Sequence, residues 1–139
     1  NAILEVGFTE DAVYIYKELY VKGLDTAEII KDAEGMFDKS LVMWCDSAEP
    51  DRIKMWKKAG YRAVPVSKEP GSVASQIDFL LSRKIVIHSS CKNTIDEISG
   101  WCWMKDKITG ECTDTPRPIN DDAMAALRYS IEYLRKAGF

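Results

Sequence analysis

Leu41-Val42-Met43-Trp44-Cys45-Asp46-Ser47-Ala48-Glu49-Pro50 is the stretch on which the fold turns. A short apolar run, bounded by Lys39-Ser40 and by Pro50, reads as a buried strand, and its last residue is followed at once by a carboxylate. Pro50 suits the first turn of a helix over 51–59, whose Ile53 and Trp56 face the sheet and which Gly60 ends. Residues 61–66 make another strand and 67–71 a loop. Ser72 is expected to cap a helix with Val73, Ile77, Leu80 and Leu81 in one stripe, and 85–88 is a further strand. Strand, helix, strand, helix, strand is the order of an α/β sheet with right-handed crossovers.

Toward the N-terminus, residues 1–20 read as an antiparallel hairpin turning at Thr9-Glu10-Asp11. Strict alternation would place Val13, Ile15, Lys17 and Leu19 on one face, with Tyr14, Tyr16 and Glu18 on the other. Asp25 or Thr26 caps the next helix, and Glu28, three residues past Asp25, completes a capping box before Ile29, Ile30, Ala33 and Phe37. Toward the C-terminus, 93–98 is a short helix and 101–113 a hairpin with Trp101 and Trp103 on one face. The helix over 121–136 turns Ala123, Leu127, Ile131 and Leu134 to the core, leaving Ala126 and Ser130 where another element can approach closely.

At 139 residues with 46% hydrophobic content, the chain suits a single domain over 1–139 with a sizeable core. It has no run of about 18 apolar residues and no signal-peptide pattern at Asn1 to Glu5, which predicts a protein without a membrane span. Cys45, Cys91, Cys102 and Cys112 are widely spaced, and His88 is the only histidine, so reduced thiols are expected rather than a zinc site. Nineteen Lys and Arg against 22 Asp and Glu give a net charge of −3, which excludes a global attraction to nucleic acid. Any DNA binding must come from a local basic face.

A carboxylate directly after a strand is held by rigid backbone at the sheet rim, where ligands of open α/β sheets bind, so Asp46 is the leading candidate for chemistry. The same residue also suits a turn. Asp121 and Asp122 at the start of the last helix sit where the dipole favours negative charge, as metal ligands or as simple caps. Glu18 points either to a metal or to solvent, and Glu49 is a supporting group or an exposed charge. Lys68, in a loop after a strand, either touches a phosphate or is simply solvated, and Arg52, Lys54 and Lys105 join it as candidate phosphate contacts if the site is that of a nuclease. A lone Asp46 cannot hold the two ions of a two-metal phosphodiesterase, which needs several carboxylates within about 4 Å of both.

Several segments together resemble one family: Glu18-Leu19-Tyr20 with Gly23-Leu24, Cys45-Asp46-Ser47-Ala48-Glu49-Pro50 with Ile53, and Lys68 with Pro70-Gly71-Ser72-Val73 and Ile77. Further matches are Ile98 with Trp103 and Lys105-Asp106-Lys107, and Ala123-Met124 with Ala126-Leu127-Arg128-Tyr129. The chain is identified as resembling the nuclease domain of tailed-phage terminase large subunits. The resemblance implies a ribonuclease H-like mixed central sheet flanked by helices. It also implies endonucleolytic cleavage of concatemeric double-stranded DNA during genome packaging, with Mg²⁺ or Mn²⁺. The setting it implies is the cytoplasm of the bacterial host, within a larger protein whose partners are the portal, the small terminase subunit and a packaging ATPase domain.

The family site consists of three aspartates. The first lies on a strand preceding Asn1 to Gly7, so the first acidic strand is expected to be missing here. The second corresponds to Asp46. In the last helix the family reads Asn-His-Ala-hydrophobic-Asp-Ala-Leu-Arg-Tyr, whereas this chain reads Asp121-Asp122-Ala123-Met124-Ala125-Ala126-Leu127-Arg128-Tyr129, with Ala125 at the third aspartate. Either Ala125 is an inactivating substitution, or Asp122, one turn earlier, supplies an oxygen in its place. Asp46 and Asp122 are therefore the expected catalytic and metal residues, Glu18, Glu49 and Asp121 their supports, and weak or absent nuclease activity is predicted. The alternatives are a degenerate nuclease fold that docks to DNA or a portal, and another ribonuclease H-like enzyme of resolvase type.

Overall fold

The structure, a computed structural model, describes residues 1–100 and 121–138. The expected hairpin over 101–113, with Trp101, Trp103, Cys102, Cys112 and Lys105, lies outside the described residues. Cys45 and Cys91 are free thiols.

β1 (Ala2–Phe8) and β2 (Ala12–Tyr20) form the expected antiparallel hairpin. α1 (Thr26–Ala33) follows, and its capping box is complete: the Glu28 amide donates to Asp25 Oδ1 at 2.8 Å and the Asp25 amide donates to Glu28 Oε2 at 2.9 Å. β3 (Val42–Cys45), α2 (Pro50–Lys58) and β4 (Arg62–Pro65) form a strand-helix-strand unit with parallel strands. α3 (Ser72–Leu81) leads to β5 (Lys84–Ile87), then α4 (Lys92–Ser99) and α5 (Asp122–Lys136). β5 pairs in parallel with β2. The strands therefore make a mixed sheet in order β1-β2-β5 and a parallel pair β3-β4.

Helices flank both faces. Val13 and Ile15 of β2, with Ala2, Leu4 and Val6 of β1, pack against Leu80 of α3 and Met124, Leu127 and Ile131 of α5. Ile3 and Leu19 face the opposite way, toward Ile29 and Ala33 of α1 and Ile53 and Trp56 of α2. The mixed central sheet flanked by helices expected from the sequence is thus present.

Three expectations are corrected. The hairpin does not alternate strictly: Glu5 pairs with Lys17 but Val6 with Ile15, so Tyr16 is an extra residue in a β-bulge. Beyond it the faces of β2 exchange, so Leu19 leaves the face of Val13 and Ile15, and Tyr20 joins it. Tyr16 folds over Gly7, where any Cβ would meet the ring at 2.7 Å. Second, Leu41 and Val42 are exposed, so the run around β3 is not buried, because the outer edge of β3 has no strand beside it among the described residues. Third, α3 is not capped by Ser72. Gly71, at φ 77°, precedes it as N-cap without a side-chain bond, and the helix buries Gln76, Ile77 and Leu80 while Val73 and Leu81 stay exposed.

The outer edges of β1 and β3 face one another across a groove of about 260 Å³, floored by Ala126 and Ser130 of α5. The start of β1 lies near the end of β3, since Arg52 of α2 donates to Asn1 Oδ1 at 3.3 Å and Ala2 shares a cleft with Asp46. The other end of β1, at Phe8, lines the groove with Leu41 and Val42. β1 and β3 therefore run in opposite directions on either side of this seam, and α5 packs against both.

Candidate functional site

Asp46 directly follows β3. Met43 and Cys45 point to the α1/α2 core, whereas Trp44 stacks on Tyr133 of α5 with ring centroids 6.0 Å apart. Alternation carries Asp46 to the side of Trp44, where it lines a cleft with Glu49, Arg52, Asp122, Ala125 and Tyr129. The cleft thus joins the end of β3 to the first turns of α5, and Ala125 offers it only a methyl group.

Asp46 has two partners on one oxygen. Its Oδ1 accepts the Ala48 amide at 3.0 Å and the Lys68 ammonium at 2.6 Å. Burial alone would push this carboxyl up, but Lys68, the Ala48 amide and nearby Tyr129 outweigh it and hold Asp46 below the usual carboxylate value. Lys68 is raised in return, chiefly by Asp46. Its Nζ also lies 5.7 Å from the centroid of the Tyr129 ring. Arg52 pairs with Glu49 beside the cleft, while Lys54 is exposed on α2 and does not line it.

Asp122 opens α5 and lines the cleft with Ala2 and Asp46. The simple capping role fails for Asp121, which makes no side-chain capping bond. Glu97 of α4 does that work instead, accepting the amides of Ala123 at 3.3 Å and Met124 at 3.1 Å. Burial, with the neighbouring Asp122 adding to it, pushes Glu97 above the usual glutamate value despite these bonds. Burial and Glu97 together push the Tyr20 phenol up. Sequence reasoning missed Glu97, because no local spacing signals a cap borrowed from another helix.

Glu18 is engaged in the same way one step earlier. Its carboxylate accepts the Thr94 amide and hydroxyl, both at 2.6 Å, and the Asn93 amide and side chain at 3.2 and 3.0 Å. Burial pushes Glu18 up, yet the bonds from Thr94 and Asn93 prevail and lower it. The bulge at Tyr16 makes this possible by turning Glu18 to the α4 side. β2 therefore caps α4 and α4 caps α5, a relay that fixes where Asp122 begins its helix. Glu18 is thus spent on a helix start, whereas the sequence left it pointing to metal or solvent.

The donor set can be weighed against a hard divalent ion. Asp46 and Asp122 are oxygen donors on one cleft, and Asp46 already holds the ammonium of Lys68, as a carboxylate open to positive charge would. Mg²⁺ and Mn²⁺ commonly keep several waters and use only one or two protein carboxylates. Among the described residues no group of three His, Cys, Asp or Glu side chains is arranged to hold a metal ion. The residues therefore suit a lightly coordinated ion rather than a full protein cage.

Comparison with known proteins agrees with this architecture. The chain is 26% identical over 135 residues to the PBSX phage terminase large subunit of Bacillus subtilis (strain 168), covering 95% of this chain and 31% of that protein. It thus spans about a third of the length of that relative. The crystal structure of the g2p (large terminase) nuclease domain from the bacteriophage SPP1 with bound Mn superposes with a TM-score of 0.82 at 21% identity, covering 95% of this chain and 77% of that one. The family described as "Terminase RNAseH like domain" matches residues 1–133. With nearly its whole length matched by that family, a mixed sheet between helices and an acidic cleft at the strand ends, the chain belongs to the terminase ribonuclease H-like domain family.

Proposed function

We propose that this domain cleaves double-stranded phage DNA during genome packaging, with Mg²⁺ or Mn²⁺ held by Asp46 and Asp122, and that it does so weakly because Ala125 supplies no ligand. The observation that carries the reading is the meeting of Asp46, from a strand end, with Asp122, from a distant helix start, in one cleft beside Arg52 and Lys68. A divalent ion there supplies the Lewis acidity that activates water and offsets charge on the scissile phosphate. Asp46 holds its carboxylate ionised, the backbone after β3 fixes its direction, and Arg52 and Lys68 position phosphates without reading bases. The metal of the SPP1 relative supports the choice of ion. In the full-length protein the portal, the small terminase subunit and a packaging ATPase domain are the partners, and the host cytoplasm is the setting.

The test is Mn²⁺-dependent nicking of supercoiled plasmid by the purified domain. Slow nicking that disappears in Asp46→Ala supports the reading, and nicking unaffected by that substitution overturns it. A second reading, a degenerate nuclease fold that docks to DNA or to the portal, is favoured by Ala125 and by the lack of a three-residue ligand group among the described residues. Mn²⁺ found beside Asp46 and Asp122 in soaked crystals contradicts that second reading.

A further inference from the structure

Lys68 is in the wrong place for a residue that only binds DNA. Its ammonium sits on Asp46 Oδ1 at 2.6 Å, and among the described residues Asp46 is the carboxylate that a strand end brings to the cleft. The same oxygen also accepts the Ala48 amide, so a divalent ion that takes Oδ1 has to displace the ammonium, and one that takes Oδ2 has to sit beside its charge. With Ala125 in place of a carboxylate, Asp122 is the acid that α5 brings to the cleft, so neutralising Asp46 takes away one of the two carboxylates on which the ion depends.

The pair is also built to come apart. Both side chains are nearly half exposed, and ion pairs in that setting are worth little. Lys68 lies in the loop between β4 and α3, on a long flexible stem, and the face of Tyr129, 5.7 Å from Nζ, offers the ammonium a second resting place. A DNA phosphate entering the cleft offers a third.

We propose that Lys68 is a latch on Asp46: it competes with the divalent ion for that carboxylate, and a DNA phosphate draws it away, so that metal loading and DNA binding favour one another. This rests on the reading of the cleft as a metal-dependent nuclease site. The coupling is reciprocal, so metal must tighten DNA binding by the factor by which DNA tightens metal binding. The consequence is that the site stays poorly charged with metal until its substrate arrives. Lys68 is in this sense a positioning residue for Asp46.

The experiment is Mn²⁺ binding by the domain without DNA, followed by electron paramagnetic resonance, in the wild type, Lys68→Met, Lys68→Arg, Lys54→Met and Asp46→Asn. Lys68→Met should bind Mn²⁺ about fivefold more tightly, the upper end of what an exposed ion pair can withhold. Lys68→Arg, which keeps an ion pair, and Lys54→Met, which removes equal charge away from the cleft, should stay within about twofold of the wild type. A circular dichroism melt checks that each variant is folded. A second readout is duplex binding by fluorescence anisotropy with Ca²⁺ as the metal: the ion should tighten wild-type binding more than that of Lys68→Met. Equal Mn²⁺ affinity in the wild type and Lys68→Met, or an equal gain from Lys54→Met, overturns the latch while leaving the nuclease reading intact. Mn²⁺ binding that Asp46→Asn does not weaken removes both.

Discussion

The two halves of this domain are built to different depths. Beneath β1-β2-β5, the residues Val13, Leu80, Leu127 and Ile131 are all at 0% exposure, and Met124 is at 1%. Around α1 and α2, beneath β3-β4 and the far face of β1-β2, Ala33 is at 0% but the larger residues Ile53, Trp56 and Tyr61 each retain 7%. Trp56 and Tyr61 meet edge to face at 5.0 Å, which suits a shallow unit with few strands to cover it. The cleft draws one acid from each half, Asp122 from the deep one and Asp46 from the shallow one. The lesson is that the deep half sets a fixed reference while the half carrying Asp46 and Lys68 leaves its charges room to rearrange.

The largest effect should come from restoring an acid on the deep side. Ala125→Asp places a carboxylate on the cleft wall and should raise Mn²⁺-dependent plasmid nicking by about 100-fold, on the scale by which metal-site changes alter activity. No gain would mean that α5 contributes nothing to the chemistry and that the division of the site between halves is false.

Next comes the contrast in stability. Leu127→Ala should cost about 4 kcal/mol and Ile53→Ala about 2 kcal/mol, because a fully enclosed side chain leaves a cavity that its surroundings cannot refill. Urea unfolding monitored by tryptophan fluorescence measures both, and equal losses would erase the distinction in depth.

The capping relay gives smaller effects of opposite sign with pH. Glu18 is lowered in the fold, so its contribution is present above the ordinary glutamate value and is lost as pH falls through the lowered one. Glu18→Gln should therefore cost about 1 kcal/mol at neutral pH and reduce the acid sensitivity of the melting temperature. Glu97 is raised, so the stability it contributes at low pH is lost as pH rises through its shifted value. Glu97→Gln should flatten that decline, with a change below about 1 kcal/mol. Melts between acidic and neutral pH that move both variants in the same direction would contradict the assigned signs.

Much of this was legible from residues alone. The capping box at Asp25, the Pro50 helix start, the Gly60 stop and the inward face of α5 all follow from local spacing, and the structure shows each of them. Ala126 and Ser130, small enough to admit a neighbouring element, line the open groove between β1 and β3. The bulge at Tyr16 was not legible, because one additional residue in a strand leaves no trace in an alternating pattern yet reverses every side chain beyond it. The borrowed caps and the pairing of Lys68 with Asp46 were equally hidden, since each joins segments whose meeting is set by tertiary packing. For the site, sequence placed Asp46 and Asp122 as candidates, but only the fold shows that they share a cleft and that Glu18 does not join them.

The seam has a consequence for how β1 breathes. Asn1 and Val21 exchange backbone hydrogen bonds in both directions, at 3.0 and 3.1 Å, which fixes the odd-numbered residues of β1 as those whose amides point at β2. The amides of Ala2, Leu4 and Val6 point instead across the groove, where no neighbouring strand receives them among the described residues. In the 139-residue domain by itself, deuterium should accordingly enter this strand in a comb: fast at Leu4 and Val6, slow at Ile3 and Glu5, within a single element that a static drawing would show as uniform.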